Sequence, residues 1–412
     1  MNTFTKEIIV DVDGGGDFTT IQGATQYLID NNIGGKVYVE RGTYIIDGTG
    51  NSTGVRIPSN TMIIGQGNVV INITSSNQYA FSNYHHDDGD EQIILSGFKI
   101  NVACTDNPYN ANIIDFRNVK NCLIENITID MNQGANPKGV DTTATAILLF
   151  AVTTGNEPTC CDNVIRNCYI KKFGEYYLEG DNQYHGHFGS GIAVATFQPE
   201  ENIVGIRCER NTIQNNFVSD CLCGCYISYA SQIIIQGNIF ANSKMKIRNA
   251  IEYEHNKCDS GCDGILFGNS ESISIIANQI HNNAENGLYS SGSRHCTIQW
   301  NIVSNNDLAG MHMRFAGKYP PDQSDPIASD LFNTINGNFF FHNGYRKPED
   351  GQIVKSNGIH INLYSEYNVI SGNIVVDNSA NGIRIQAVEP GITGHPAIQN
   401  IVNGNTCLLH SG

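Results

Sequence analysis

The chain has 412 residues, 40% of them hydrophobic and only 16% charged, which is enough apolar content for a large core and too little charge for a disordered chain. Its formal net charge of −16 excludes a general binder of nucleic acid or of anionic membrane surface. No run of about 18 apolar residues occurs, so no helical membrane span is expected.

The first fifty residues read as a strand followed by a cap. TIQGATQYLIDNN, from Thr20, has helical periodicity, and KVYVERGTYII after it alternates as a strand. A coil of stacked strands needs such a cover on its first turn, which otherwise presents apolar side chains and unpaired backbone. The opening MNTFTKEIIVDVDGGG lacks the basic and apolar regions of a secretory signal. The expected settings are therefore the cell interior, a virion, or an exported chain already processed, and a polysaccharide substrate favours the last two.

From residue 51 onward, short β-branched stretches keep ending in asparagine: Asn126, Asn167, Asn211, Asn238, Asn278, Asn301, Asn338, Asn373 and Asn405. The closest pair, Asn278 and Asn301, is separated by one turn of a three-stranded coil, and this periodicity is the mark of a solenoid. Asparagine tolerates a left-handed bend, and stacked copies can bond one another's amides, so these residues are expected to sit at the bends and form a ladder. A buried residue is expected three positions earlier, as at Ile298 and Ile370. Asn126-Ile-Thr and Asn72-Ile-Thr match the glycosylation sequon, but Asn126 is assigned to the ladder.

A second series begins with glycine: GIAVATF, GCYISYA, GILFGNS, GLYSSGS, GMHMRFA, GIHINLY and GIRIQAV, from Gly191, Gly224, Gly264, Gly287, Gly310, Gly358 and Gly382. Residues one and three after the glycine are mostly apolar and point in, which leaves those two and four after it pointing out. Rungs stack about 4.8 Å apart, so equal offsets form columns. One outward column reads Ala193, Tyr226, Leu266, Tyr289, His312, His360, Arg384; the other reads Ala195, Ser228, Gly268, Ser291, Arg314, Asn362, Gln386.

Rungs longer than the shortest carry inserted loops at 171–190, 241–263, 316–331 and 341–357, within one structural domain made of a cap (1–50) and rungs (51–412). Those loops flank the glycine-led strands on both sides, which makes their sheet the floor of a groove. Candidate sugar-binding side chains on them are His185, then Glu252, Glu254 and His255, then Tyr319, then Tyr345. Tyr226, Asn362 and Gln386 would add contacts from the floor itself.

The 13 cysteines are scattered through strand-like runs and read as small buried hydrophobes. Cys221, Cys223 and Cys225 followed by Cys258 and Cys262 form the densest cluster, whose spacing does not match a zinc site.

DGGGDFTTIQGATQYL followed by GGKVYVERGTYIID resembles the entry segment of the pectin-lyase-like superfamily, and DGGGDFTTIQ is similar to the start of pectin methylesterases. The resemblance implies an all-β fold, a right-handed single-stranded parallel β-helix with an N-terminal capping helix. The methylesterase pattern of paired aspartates is absent, so that activity is not implied. The superfamily includes carbohydrate-active enzymes and phage spikes, whose β-helices are often homotrimers.

Tyr289, His312, His360, Arg314 and Arg384 thus form one outward patch, the candidate catalytic group. Two histidines beside two arginines disfavour double protonation, leaving at least one imidazole neutral near pH 7. β-Elimination of a uronate polysaccharide needs a cation at the C6 carboxylate, a base for the C5 proton and an acid for the O4 leaving group. Arg314 or Arg384 suits the first role, His312 or His360 the second, and Tyr289 or the other histidine the third; a C5-epimerase would use the same kit. Hydrolysis or fructosyl transfer would need two placed carboxylates, supplied from loops by Glu252, Glu254, Glu179 or Asp181. A non-catalytic carbohydrate-binding spike is the remaining reading. No cofactor is expected; calcium at Asp181, Glu252 or Glu254 is left open, because no loop has calcium-ligand spacing.

Overall fold

The computed structural model describes residues 4, 6–46, 54–74, 79–102, 112–130, 145–152, 159–171, 189–196, 208–243, 262–314, 330–346, 354–362, 365–386 and 399–408. They form one helix and many short strands, and apart from one antiparallel hairpin the strand pairs are parallel. The chain divides into two compact units, 1–221 with 246–260, and 222–245 with 261–412.

In the first unit the helix runs from Ile21 to Asp30, started by Thr20, whose hydroxyl accepts a hydrogen bond from the Gly23 amide at 3.1 Å. Its buried Ile21, Ala24 and Leu28 pack on the strands Lys6–Val10, Gly35–Val39 and Val55–Ile57, as a cap must. KVYVERGTYII is two strands, Gly35–Val39 and Gly42–Ile46. Val55–Ile57, Phe81–Asn83, Ile114–Arg117, Ile147–Ala151 and Ser190–Thr196 then stack in parallel register as one sheet of this unit.

In the second unit each rung has three strands, as in Leu288–Ser291, Thr297–Gln299 and Ile302–Ser304. Equal offsets stack to give a dry core: Ile275, Ile298, Ile335 and Ile370 form one fully buried column, and Ile280, Val303, Phe340 and Val375 another. Each such side chain removed from water contributes about 1.5–3 kcal/mol. This is the parallel β-helix expected from the repeats.

The glycines that open the floor strands are required by packing. A Cβ at Gly287 would stand 2.4 Å from Val303 Cγ1, at Gly310 2.7 Å from Phe340 Cδ1, and at Gly358 2.3 Å from Val375 Cγ1. The branched side chains of one wall occupy the space where the floor strand enters.

The asparagine ladder is real, but it does not occupy the bends. Asn238, Asn278, Asn301, Asn338, Asn373 and Asn405 are linked side chain to side chain, each Oδ1 accepting from the Nδ2 of the preceding rung at 2.9–3.0 Å. Each Oδ1 also accepts the preceding backbone amide, as Asn301 does from Asn278 at 2.9 Å, while its Nδ2 donates to the Ile275 carbonyl at 2.9 Å. The left-handed bend belongs to the residue before: Ala277 (φ 53), Trp300 (φ 55), Gly337 (φ 67) and Gly372 (φ 63). The reason is direction, since the bend side chain points outward and the next one inward. Asn126 and Asn167 are therefore corrections: both are exposed bend residues, with φ 55 and 53, and the inward position of the latter's rung is held by Cys168. Asn211 sits in a separate ladder with Asn163.

Of the inserted loops, 172–188, 244–261, 315–329 and 347–353 lie outside the described residues, and with them His185, Glu252, Glu254, His255, Tyr319, Glu179 and Asp181. The fourth insertion opens as a hairpin in which Tyr345–Arg346 pairs antiparallel with Val354–Lys355. Among the described residues eleven cysteines are free thiols, ten of them buried, including Cys221, Cys223, Cys225 and Cys262.

Candidate functional site

The floor of the second unit is made of Cys223–Ser228, Ile265–Gly268, Leu288–Ser291, Met311–Arg314, Ile359–Ile361 and Ile383–Ile385. Cα register aligns Tyr226 with Leu266, Leu266 with Tyr289, Tyr289 with His312, His312 with His360 and His360 with Arg384. Ser291 aligns with Arg314, and the amides of Asn362 and Gln386 continue the ladder onto the carbonyls of Met313 and Ile361. The alternation follows from the pleat: Met311 and Met313 are fully buried, which turns His312 and Arg314 outward.

His312 and His360 stack with ring centroids 4.7 Å apart and planes inclined by 6°. Tyr289 meets His312 edge-on, at 5.5 Å and 89°. The Arg314 cation stands near enough to the Tyr289 phenol to favour its ionised form against burial. His360 Nε2 lies 3.3 Å from Gln386 Oε1; in the tautomer that donates to this oxygen, Nδ1 is the basic nitrogen. Tyr226 is set apart by the buried Leu266, and Tyr345 donates its hydroxyl to Asp377 at 2.8 Å while stacking on His342 at 4.3 Å.

Both imidazoles are pushed below the usual histidine range. His312 falls to about 3, first because burial penalises its cation and then because His360 and Arg314 repel it. Its ring keeps partial surface, but Nε2 itself is sealed from solvent and has no partner. His360 is lowered by burial and by Arg384, against a smaller upward pull from Gln386. Burial raises the Tyr289 phenol to about 12, with Arg314 opposing, so at neutral pH it is an O–H donor. The arrangement thus offers a neutral base, a phenolic acid and two guanidinium groups within adjacent rungs.

Beneath this surface lies a carboxyl that the column argument missed. Asp330 is fully buried, accepts from Ser290 Oγ at 2.5 Å and from the Ser293 amide at 2.9 Å, and is pushed up to about 7 by burial. Ser290 follows Tyr289 on its strand. A signal was present in the sequence: the residues preceding the aligned bridge positions Glu271, Arg294, Leu331 and Glu366 are Ser270, Ser293, Asp330 and Ser365, one acid among serines.

The family model of NosD, a periplasmic copper-binding protein, matches residues 192–346. The described residues do not fit a copper centre there: no three His, Cys, Asp or Glu gather, and stacked parallel imidazoles cannot aim their in-plane lone pairs at one ion. No curated protein matches the sequence. Among solved structures, the A-module of mannuronan C-5 epimerase AlgE6 from Azotobacter vinelandii is similar at 14% identity and TM-score 0.55, covering 94% of each chain. PfbA, a surface adhesin of Streptococcus pneumoniae, is similar at 17% identity and TM-score 0.59, covering 95% of this chain and 86% of its own. A tailspike protein of E. coli bacteriophage HK620, bound to a pentasaccharide, is similar at 13% identity and TM-score 0.55, covering 93% of this chain and 61% of its own. At these identities the likeness establishes the parallel β-helix fold and nothing about activity.

Proposed function

We propose that the protein acts on a uronate-containing polysaccharide, by β-elimination or by C5 epimerisation, over the floor strands of its second unit. The stacked His312–His360 pair between Tyr289 and Arg384 carries this reading. Arg314 and Arg384 supply the positive charge that stabilises an enolate-like C6 carboxylate, and neutral His360 takes the C5 proton. Tyr289, held protonated, donates to the O4 leaving group in elimination or returns a proton to the opposite ring face in epimerisation. Burial raises this phenol, and the neighbouring Arg314 cation, which would stabilise a developing phenolate, opposes the rise and leaves it near 12. The names of similar proteins, an epimerase of mannuronan and a pentasaccharide-bound tailspike, favour a glycan substrate. Hydrolysis by two carboxylates finds no support among the described floor residues, where the outward columns hold none.

The test is incubation with mannuronan and with polygalacturonate in D₂O, followed by NMR and ultraviolet absorbance. Elimination yields the unsaturated sugar and its absorbance; epimerisation yields deuterium at C5 without absorbance. New reducing ends without either product indicate hydrolysis, and binding with no product at all leaves a non-catalytic receptor for the glycan. Either of these last two outcomes overturns the proposal.

A further inference from the structure

The wall strands of the second unit present an outward face on which no described side chain is charged, in a chain whose net charge is −16. At its centre, parallel register aligns Ile302 with Phe339 and Phe339 with Ile374. These side chains are 45%, 37% and 48% exposed, although each stands on a strand whose inward residue is fully buried. Phe341 and Val376 continue the apolar surface on one side, with Phe341 packed on Phe339 at 4.8 Å. On the other side Trp300, the chain's only tryptophan, is 63% exposed. It is held in a left-handed bend with φ 55, and its indole lies across Gly337, where a Cβ would come within 2.8 Å of the ring. A bulky residue in that conformation costs on the order of 1–3 kcal/mol, which an exposed side chain does not recover from the fold.

We infer that this face binds a second copy of the same chain about a two-fold axis through Phe339. The occupant follows from three properties of the face. First, the column is its own reverse: Gln279, Ile302, Phe339, Ile374 and Thr406 read polar, Ile, Phe, Ile, polar in either direction. An isologous contact requires that symmetry, since it sets Phe339 against Phe339 and Ile302 against Ile374. The same rotation lays each Trp300 over the other copy's Gly372, the bend residue of the Ile374 rung. Second, two copies of so acidic a chain can meet only where neither presents charge, whereas an acidic or basic partner would find no counter-charge here. Third, five rungs at about 4.8 Å by two three-residue strands at about 3.3 Å per residue give about 480 Å² per copy, or about 960 Å² in total, the size of a weak, reversible interface. The inference stands apart from the proposed chemistry, because none of these residues belongs to the His312 patch.

Sedimentation velocity and light scattering on the full chain, at concentrations up to about 100 µM, test it directly. The expected mass is twice 45.1 kDa. Phe339→Glu is expected to return the chain to a single-copy mass with its thermal midpoint and circular dichroism unchanged, because the side chain touches solvent. Ile302→Glu should do the same, and adding Ile374→Lys to it should restore the dimer, since the axis places the two positions against each other. A wild type that stays monomeric at the highest concentration overturns the inference. So does a dimer indifferent to Phe339→Glu, a mass of three chains, or a charge-swapped double variant that stays monomeric.

Discussion

His312 and His360 lie face to face on adjacent floor strands, 4.7 Å between ring centroids and 6° from parallel, and only one of them has a bonded ring nitrogen. A stacked pair cannot hold two charges, and Arg384 stands one rung beyond His360. Loss of the neutral base is expected to lower turnover by about 10²–10⁴-fold in His360→Ala. The acid limb of kcat/KM should lie below the ordinary histidine range, because activity needs the neutral imidazole and its pKa is depressed. Arg384→Met removes the repulsion and should move that limb upward in pH. A pH–rate profile in which the acid limb does not move would reject His360 as the base.

Stability should respond to pH through two groups of opposite sign. His312 binds its proton less readily folded, at about 3, than unfolded, at about 6.5, so its contribution is present above 6.5 and lost as pH falls toward 3. Asp330 binds its proton more readily folded, at about 7, so its contribution is present below the ordinary carboxylate range and lost as pH rises through 7. Between pH 4 and 6.5 the two oppose each other, each with a slope of up to about 1.4 kcal/mol per pH unit. His312→Phe should therefore expose a stability that falls with rising pH across this window. Asp330→Asn should expose the reverse slope. Urea titrations of both variants at several pH values decide it, and parallel profiles for the two would refute the assignment.

The columns carrying Tyr289, His312, His360 and Arg384 were legible in the sequence because a period of two within a strand and a constant glycine offset fix both face and register. Asp330 was hidden from the glycine offsets because a long insertion precedes it, although it stands eight residues before Asn338 as Ser293 does before Asn301. The bend was misplaced for a different reason. Asparagine is favoured both in left-handed turns and as a ladder amide, and its identity at Asn126 does not say which use applies. The exposures of Ile302, Phe339 and Ile374 were likewise unreadable, since β-branched and aromatic residues favour strands whichever face they occupy.

That distinction gives the ladder a sharp test. Asn301→Ala removes the acceptor of the Asn278 amide and side chain and the donor to Asn338 and to the Ile275 carbonyl, all in the dry interior. Leaving those groups unpaired is expected to cost about 2–4 kcal/mol. Asn126→Gly, at an exposed left-handed bend, should change stability by less than about 1 kcal/mol. Equal losses in the two variants, measured by urea unfolding, would contradict the division between ladder and bend.

The glycine series makes the last prediction. Gly287 has no room for a methyl group, because Val303 Cγ1 would sit 2.4 Å from it and the Gly310 carbonyl 2.7 Å. Gly287→Ala is expected to lose about 1–3 kcal/mol through overpacking, and to shift Tyr289, two residues on, relative to His312. Val303→Ala alone leaves a void and is also destabilising. In the double variant the new methyl enters the space the valine vacates, so the combined loss should be smaller than the sum by about 1 kcal/mol or more. The carbonyl contact remains, so the rescue should be partial. Strict additivity across this cycle would mean that the glycine is retained for backbone conformation, and the entry of the floor strand would then be set by φ and ψ rather than by the neighbouring wall.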